Sequence, residues 1–149
     1  MKIAELFETF DQPYPLTWEP GSIRDGDMDA YTKLPDGTNL LIMFNKQPYG
    51  DEDYMVEFHR DDSQEVTGKG DAYRIFATVL HAIQKFIKER SPDMLFFSAE
   101  KGEEGEQKDW ASRAKLYTRM VQKFARQLGY NAYIEDQGDM VQYELNKID

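Results

Sequence analysis

The sequence contains no cysteine and only two histidines, His59 and His81. The lack of cysteine excludes a disulfide framework and thiolate chemistry, and two isolated histidines argue against a zinc site. We therefore predict no bound metal ion. A reducing compartment such as the cytoplasm agrees with this composition.

Long apolar runs are also missing. No run approaches the roughly 20 apolar residues that a membrane-spanning helix needs. The first ten residues, MKIAELFETF, carry Glu5 and Glu8 where a signal peptide would have an unbroken apolar region. The sequence thus predicts a protein without membrane contact in the cytoplasm, which would be the host cytoplasm if a phage encodes the chain.

Positive charge is scarce: 18 Lys and Arg stand against 28 Asp and Glu, for a formal net charge of -10. Such a charge repels nucleic acid at long range and favours basic partners. We therefore expect no direct nucleic-acid binding, and either a basic partner protein or an acidic surface that only maintains solubility.

The residues that are present suit one folded domain. The chain has 149 residues, of which 40% are hydrophobic and 13% aromatic, enough to bury a core without cross-links. We predict a single domain over residues 1–149, with an N-terminal helix and loop in 1–26 and the core in 27–149. Nothing in the sequence predicts the oligomeric state.

The apolar spacing predicts the elements of the core. Two extended runs flank the turn at residues 34–38, and a third, alternating run over 54–60 completes an antiparallel meander. Apolar residues then recur at helical spacing from Ala72 to Ile87 and from Trp110 to Leu128. A short apolar strand at 94–97 lies between these helices, and two strands near 130–135 and 140–145 end the chain.

A glycine-containing turn precedes the first of the two long helices. The stretch EVTGKGDA places Gly68 and Gly70 directly before a helix start, where several backbone N–H groups and the helix dipole favour an anion. The same residues also fit a strand-to-helix turn that needs a positive φ, with Asp71 in the first helical turn. Both interpretations remain open on the local sequence.

The order of elements and this turn resemble the GNAT superfamily of N-acetyltransferases, in which a turn of the form Gln/Arg-x-x-Gly-x-Gly/Ala binds the pyrophosphate of acetyl-CoA. The resemblance implies an α+β, three-layer α/β fold with a mixed, mostly antiparallel sheet and helices on both faces. It also implies acetyl-CoA as the cofactor, bound at Thr67, Gly68, Lys69, Gly70 and Asp71. Glu65 stands where that family has Gln or Arg.

The second long helix adds a further partial match to GNAT enzymes. The stretch RAKLY, ahead of Gly129-Tyr130, is similar to a pattern in which a tyrosine protonates the leaving thiolate of CoA. By this resemblance Tyr117 is the catalytic residue. If the start of this helix lies beside the glycine turn, Arg113 would bind phosphate in fork geometry or offset the charges of Glu65 and Asp71. The alternatives are that Tyr117 is a core aromatic and that Arg113 pairs with Asp109 along the helix.

Four short stretches are similar to a group of uncharacterised bacteriophage proteins. They are a Thr-Gly-x-Gly-Asp-Ala turn, a Phe-Ala-Thr-Val helix, a Phe-Ser-Ala strand end and a Ser-Arg-x-Lys-Leu-Tyr helix, all within residues 67–117. The resemblance implies a phage accessory protein. It brings no activity with it. The GNAT resemblance implies an acetyl-CoA-dependent N-acyltransferase, and the acidic charge alternatively suggests a non-enzymatic protein that binds or inhibits a basic host protein.

Two sequence features bear on these alternatives. Three acidic clusters, at residues 25–29, 51–53 and 103–106, could meet a basic host protein or could be solvated loops. By the resemblance to GNAT enzymes, binding of acyl-CoA requires that the two strands flanking the first long helix separate into a V-shaped cleft. Closed pairing of these strands would leave no cofactor site.

Overall fold

The computed structural model describes residues 13–21, 25–48, 52–60, 72–100, 107–138 and 140–148, without the side chains of 72–73, 99–100, 107–114 and 116–117. This part of the chain forms seven strands and two helices. In chain order they are β1 (Thr17–Pro20), β2 (Met28–Lys33), β3 (Asn39–Lys46), β4 (Asp53–Arg60), α1 (Ala72–Arg90), β5 (Met94–Glu100), α2 (Gln107–Leu128), β6 (Tyr130–Asp136) and β7 (Met140–Lys147). The predicted N-terminal helix lies outside the described residues.

The strands form one sheet in the order β1-β2-β3-β4-β5-β7-β6. All neighbouring strands are antiparallel except β4 and β5, which are parallel and are joined by α1. The predicted meander, the strand beside it and the final hairpin are therefore confirmed. A parallel pair needs a long crossover connection, and α1 supplies it.

Strand β1 was not predicted, because residues 1–26 were expected to form a helix and a loop. Residues Thr17 to Pro20 pair with β2 at the edge of the sheet. A strand this short carries little periodicity, and Pro20 is tolerated there because an edge strand needs no donor on its outer side.

Side chains on one face of the sheet form the core. Alternate residues of β3, β4, β5 and β7 are buried on this face, and they are Leu40, Ile42, Phe44, Tyr54, Val56, Phe58, Leu95, Phe97, Val141, Tyr143 and Leu145. Both helices pack there. From α1, Phe86 stacks on Phe44 with ring centroids 4.3 Å apart, and Phe76 lies 6.3 Å from Tyr143. Thr118 of α2 also approaches Tyr143, so the two helices share one face.

The predicted three-layer α/β arrangement with helices on both faces is therefore wrong. Within the described residues the sheet is seven-stranded, mixed and mostly antiparallel, as expected, but both helices lie on the same side. The physical reason is the handedness of the crossovers. The connections β4-α1-β5 and β5-α2-β6 proceed in the same direction across the sheet, and right-handed connections in one direction put their helices on one face.

The ends of both helices agree with the sequence. In α1 the apolar spacing stops at Ile87, and Ser91 has a left-handed φ of 45° while its N–H donates to the Ile87 carbonyl over 2.8 Å. Gly129 has a φ of 83° directly after α2, the left-handed conformation that commonly ends a helix.

Residues 13–18 pack along α1. The Tyr14 N–H donates to the Thr78 hydroxyl over 3.0 Å, and the Arg74 guanidinium lies 3.9 Å from the centre of the Tyr14 ring. A groove of about 570 Å³ follows this contact, with Trp18 on one wall and Lys85 on the other. The groove is thus the seam between this segment and the helix.

Candidate functional site: a cleft between two parallel strands and an open sheet face

The sheet divides between β4 and β5. Their parallel register consists of Asp53 with Met94, Tyr54 with Leu95 and Met55 with Phe96, and no further pair follows among the described residues. Beyond this point β4 remains paired with β3 as far as Arg60, and β5 remains paired with β7 as far as Glu100. The two halves of the sheet therefore separate toward the carboxyl ends of β4 and β5.

Backbone hydrogen bonds close the narrow end of this cleft. The N–H groups of Asp93 and Met94 donate to the Glu52 carbonyl over 2.8 and 3.4 Å. At the wide end, each strand has one paired edge and one edge without a ladder partner among the described residues, so alternate backbone N–H and C=O groups point into the gap. In open sheets with parallel strands, ligands bind outside the carboxyl ends of the strands, which is where this cleft opens.

Side chains from β4, β5 and β7 line a cavity of about 170 Å³ in the cleft. The lining consists of Met55, Val56, Glu57, Phe58, Phe96, Phe97, Ser98, Met140 and Gln142. Pockets for whole drug-sized ligands span about 300–1,000 Å³, so this one suits a chain-like part of a ligand.

The charge of the cleft is negative. Glu57 is the ionisable residue of the lining, and its Oε2 atom lies 3.5 Å from Nε2 of His59. Arg60 stands at the wide end of β4 but is buried on the helix side. Its Nη2 donates to Asp36 over 2.9 Å and its Nε to Thr38 over 3.0 Å. These two hydrogen bonds hold the guanidinium of Arg60 against the β2–β3 turn.

The side chains of all the sequence-predicted site residues lie outside the described part of the structure. This holds for Thr67, Gly68, Lys69, Gly70 and Asp71, which fall between the end of β4 and the start of α1. Arg113 and Tyr117 belong to α2, and their side chains are among those not described. Their roles stay predictions. In the chain, both groups adjoin elements that border the cleft: the turn follows β4, and α2 follows β5.

Ser98 of the cleft lining belongs to the Phe-Ser-Ala stretch that was predicted to end a strand. It lies inside β5, because that strand continues from the apolar run to Glu100. Met55, Glu57, Met140 and Gln142 were not singled out. Their only signal is alternation with buried residues, which every half-exposed strand shows.

The face of the sheet opposite the helices forms a second candidate surface, here called the open face. Its apolar residues are half-buried and come from β3, β4, β5 and β7; they are Leu41, Met43, Met55, Met94, Phe96 and Met140. Tyr31 and Tyr133, on the same face, are 38% and 61% exposed. The open face thus contains four of the seven methionines of the chain: Met43, Met55, Met94 and Met140.

Carboxylates share the open face with these methionines. The acidic residues of the open face in the described strands are Glu19, Asp29, Asp53, Glu57, Glu135 and Glu144, whereas Lys33 is its one lysine or arginine in those strands. Burial raises the pKa of Asp29, and the neighbouring carboxylates of Glu19 and Asp27 raise it further. Both causes disfavour the charged form of Asp29.

The described residues of the predicted acidic clusters do not all lie in solvated loops. In the first, Asp25 is exposed, Asp27 is only 4% exposed and accepts the Lys46 N–H over 2.8 Å, and Asp29 lies on the open face. In the second, Glu52 and Asp53 lie at the start of β4, and Asp51 is outside the described residues. The third cluster, at 103–106, is also outside them.

The described residues contain no group of three or more acidic, histidine or cysteine side chains arranged to hold a metal ion. Neither α1 nor α2 is apolar enough over its length to cross a bilayer. No protein-family model matches the sequence, and the comparisons with curated proteins and with solved structures found no match either. The resemblances to GNAT enzymes and to phage proteins therefore stay predictions from the sequence.

Proposed function

We propose that the cleft between β4 and β5 binds an acyl-CoA and that the protein is an acetyl-CoA-dependent N-acyltransferase. The observation that carries this proposal is the separation of the two parallel strands after three residue pairs. Unpaired strand edges bind extended ligands that contain amides, in the way that a peptide adds to a sheet. The pantetheine arm of CoA has this chemistry, and a cavity of about 170 Å³ suits the arm better than the whole cofactor.

The phosphates of CoA need a separate site in this proposal, because the cleft lining carries a carboxylate and no cation. The candidate is the turn from Thr67 to Asp71 at the start of α1, where backbone N–H groups and the helix dipole favour anions. Arg113 is the candidate side chain for a charge-assisted contact. The phage origin and the cytoplasmic location predicted from the sequence belong to the same proposal.

The chemistry would be attack of an amine on the thioester carbonyl, with cleavage of the C–S bond. Glu57 is the proposed acceptor of the amine proton because it is the ionisable residue of the cleft lining. Tyr117 is the proposed donor of the proton that the CoA thiolate takes up. Both assignments depend on binding of the cofactor.

Thermal unfolding tests the proposal. Millimolar acetyl-CoA is expected to raise Tm by on the order of 10 °C, because a ligand at about 100 times its Kd stabilises the native state by about 3 kcal/mol. Ser98→Tyr should fill the cleft and abolish the shift, and Gly70→Asp should do so through charge repulsion. Thr17→Tyr, on the distant edge strand of the same face, is the matched control and should keep it. A folded sample whose Tm does not respond would refute the proposal.

A second candidate function is that of an acidic protein that binds or inhibits a basic host protein. The acidic residues of the open face favour it, since they form a negative surface that a cationic partner would neutralise. It differs from the first candidate in needing neither a cofactor nor the cleft.

Salt dependence tests this second candidate. The immobilised protein should retain basic proteins from a bacterial lysate at low salt and release them at high salt, because screening weakens contacts between exposed charges. Asp29→Lys should reduce retention, whereas Glu89→Lys, the same change on the exposed surface of α1, should not. Retention of no basic protein at low salt would eliminate this candidate.

A further inference from the structure

The open face combines apolar and acidic groups in register. Across β2, β3 and β4, Asp29, Met43 and Glu57 are consecutive partners, so that a carboxylate stands on each side of a methionine. Side chains opposite one another on adjacent strands lie about 5 Å apart at Cβ. A ligand that covers Met43 therefore meets both carboxylates.

The neighbouring row shows the same combination. Met55 and Phe96 are partners across the narrow end of the cleft, and Phe96 is paired in turn with Glu144. Beyond Glu144, the exposed Tyr133 ends the row. The apolar residues thus run across the centre of the sheet, with acidic residues beside them in each row.

Methionine suits such a surface because its unbranched side chain adapts to the shape of an apolar partner. The acidic residues set the sign of the partner, which must carry lysine or arginine beside its apolar groups. A sheet face is commonly covered by helices, as the opposite face of this sheet already is. An amphipathic helix provides an apolar stripe with charged residues along its flanks, which matches the arrangement of the rows.

We propose that the open face is the docking surface for a basic amphipathic helix of a partner protein. The apolar stripe of the helix covers Met43, Met55 and Phe96, and its flanking cations meet Asp29, Glu57 and Glu144. The inference rests on the second candidate function and specifies its surface and partner. Charge excludes two other occupants: a second copy would oppose acids to acids, and nucleic acid would be repelled.

A designed peptide is the probe for this surface. It consists of leucine and lysine at helical spacing over about five turns, and its control has the same composition in scrambled order. Fluorescence anisotropy with the full chain at low salt should show binding of the amphipathic peptide and binding about tenfold weaker, or none, for the control, since only the former presents an apolar stripe.

Three variants locate the site. Met43→Thr keeps a residue suited to a strand and removes most of the apolar contact, and should weaken binding about tenfold. Asp29→Asn removes one carboxylate and should weaken binding several-fold, by an amount that shrinks as salt is added. Glu89→Gln removes a carboxylate from the exposed surface of α1 and should leave binding unchanged.

Other outcomes overturn the inference in distinguishable ways. Equal binding of both peptides would refute the docking surface but keep the second candidate function, an acidic protein that binds basic partners. Binding of neither peptide would refute both. Wild-type affinity in Met43→Thr and Asp29→Asn would move the site elsewhere. A dimer dispersed by Met43→Thr would assign the face to a second copy. Protection of Met43 from peroxide in the free chain would show that the chain covers the face itself.

Discussion

Replacing Phe86 by alanine is expected to lower the free energy of unfolding by about 3–5 kcal/mol. Phe86 is 1% exposed, stacks on Phe44 at 4.3 Å and meets the edge of the Tyr54 ring at 4.8 Å. Truncation removes a large buried side chain and leaves a cavity between α1 and the strands β3 and β4. Because domains of this size have a total stability of about 5–15 kcal/mol, roughly a fifth or more of it would be lost.

Thermal and urea unfolding measure this effect, which should appear as a fall in Tm on the order of 10 °C. Phe86→Leu retains apolar volume and should cost clearly less. Tyr133→Ala removes a ring of similar size from a 61% exposed position and should change stability by no more than about 0.5 kcal/mol. If Phe86→Ala proved as mild as Tyr133→Ala, α1 would not pack on these strands as described.

Alkaline pH is expected to destabilise the protein between about pH 10 and about pH 12. Burial raises the pKa of Tyr143 to about 12, and Asp136 adds to the rise. The Tyr143 hydroxyl is buried without a hydrogen-bond partner among the described residues, although the nearby Thr118 side chain opposes part of the rise in its pKa. Burial and the Asp93 carboxylate likewise raise the pKa of Tyr130 to about 12.

The sign follows from proton linkage. In this window an unfolded tyrosine, with a pKa near 10, has lost its proton, while the buried tyrosine in the folded state keeps it. The stability is therefore fully present below about pH 10 and falls as the pH rises through the folded pKa. For Tyr143, which is 1% exposed, the loss is on the order of 2 kcal/mol.

Urea unfolding at a series of pH values measures this loss. Tyr143→Phe and Tyr130→Phe cannot ionise and should each flatten the decline above pH 10, whereas Tyr133→Phe, at an exposed position, should leave the curve unchanged. An identical decline in Tyr143→Phe and in the wild type would show that this phenol is not buried in the folded state.

The elements of the core follow from local spacing. An apolar residue every three or four positions identifies α1 and α2, and alternation identifies β4, because a helix or strand gathers apolar groups on one side by its own geometry. The turn predicted at residues 34–38 contains Pro35 and Gly37, which favour a hairpin between β2 and β3. In the structure Gly37 has a φ of 89°. The short β1 was not predicted because four residues are too few to show a periodic pattern.

The candidate site was predictable only in its general position. The resemblance to GNAT enzymes implied that the strands on either side of α1 would separate, and β4 and β5 do separate after three residue pairs. The residues that line the cleft could not be named, because Glu57, Ser98 and Gln142 come from three strands that become neighbours only in the sheet. The glycine turn was conspicuous for its composition, yet its structural role stays a prediction.

By itself, the sequence determined the identity and order of these elements, the negative charge and the absence of cysteine chemistry. Only the tertiary structure decided that α1 and α2 share one face, that the sheet divides between β4 and β5, and that four methionines share the opposite face with carboxylates. The physical reason is that spacing along a chain records which residues of one element share a side. Which elements become neighbours depends on pairing between distant segments and on the direction in which the crossovers proceed.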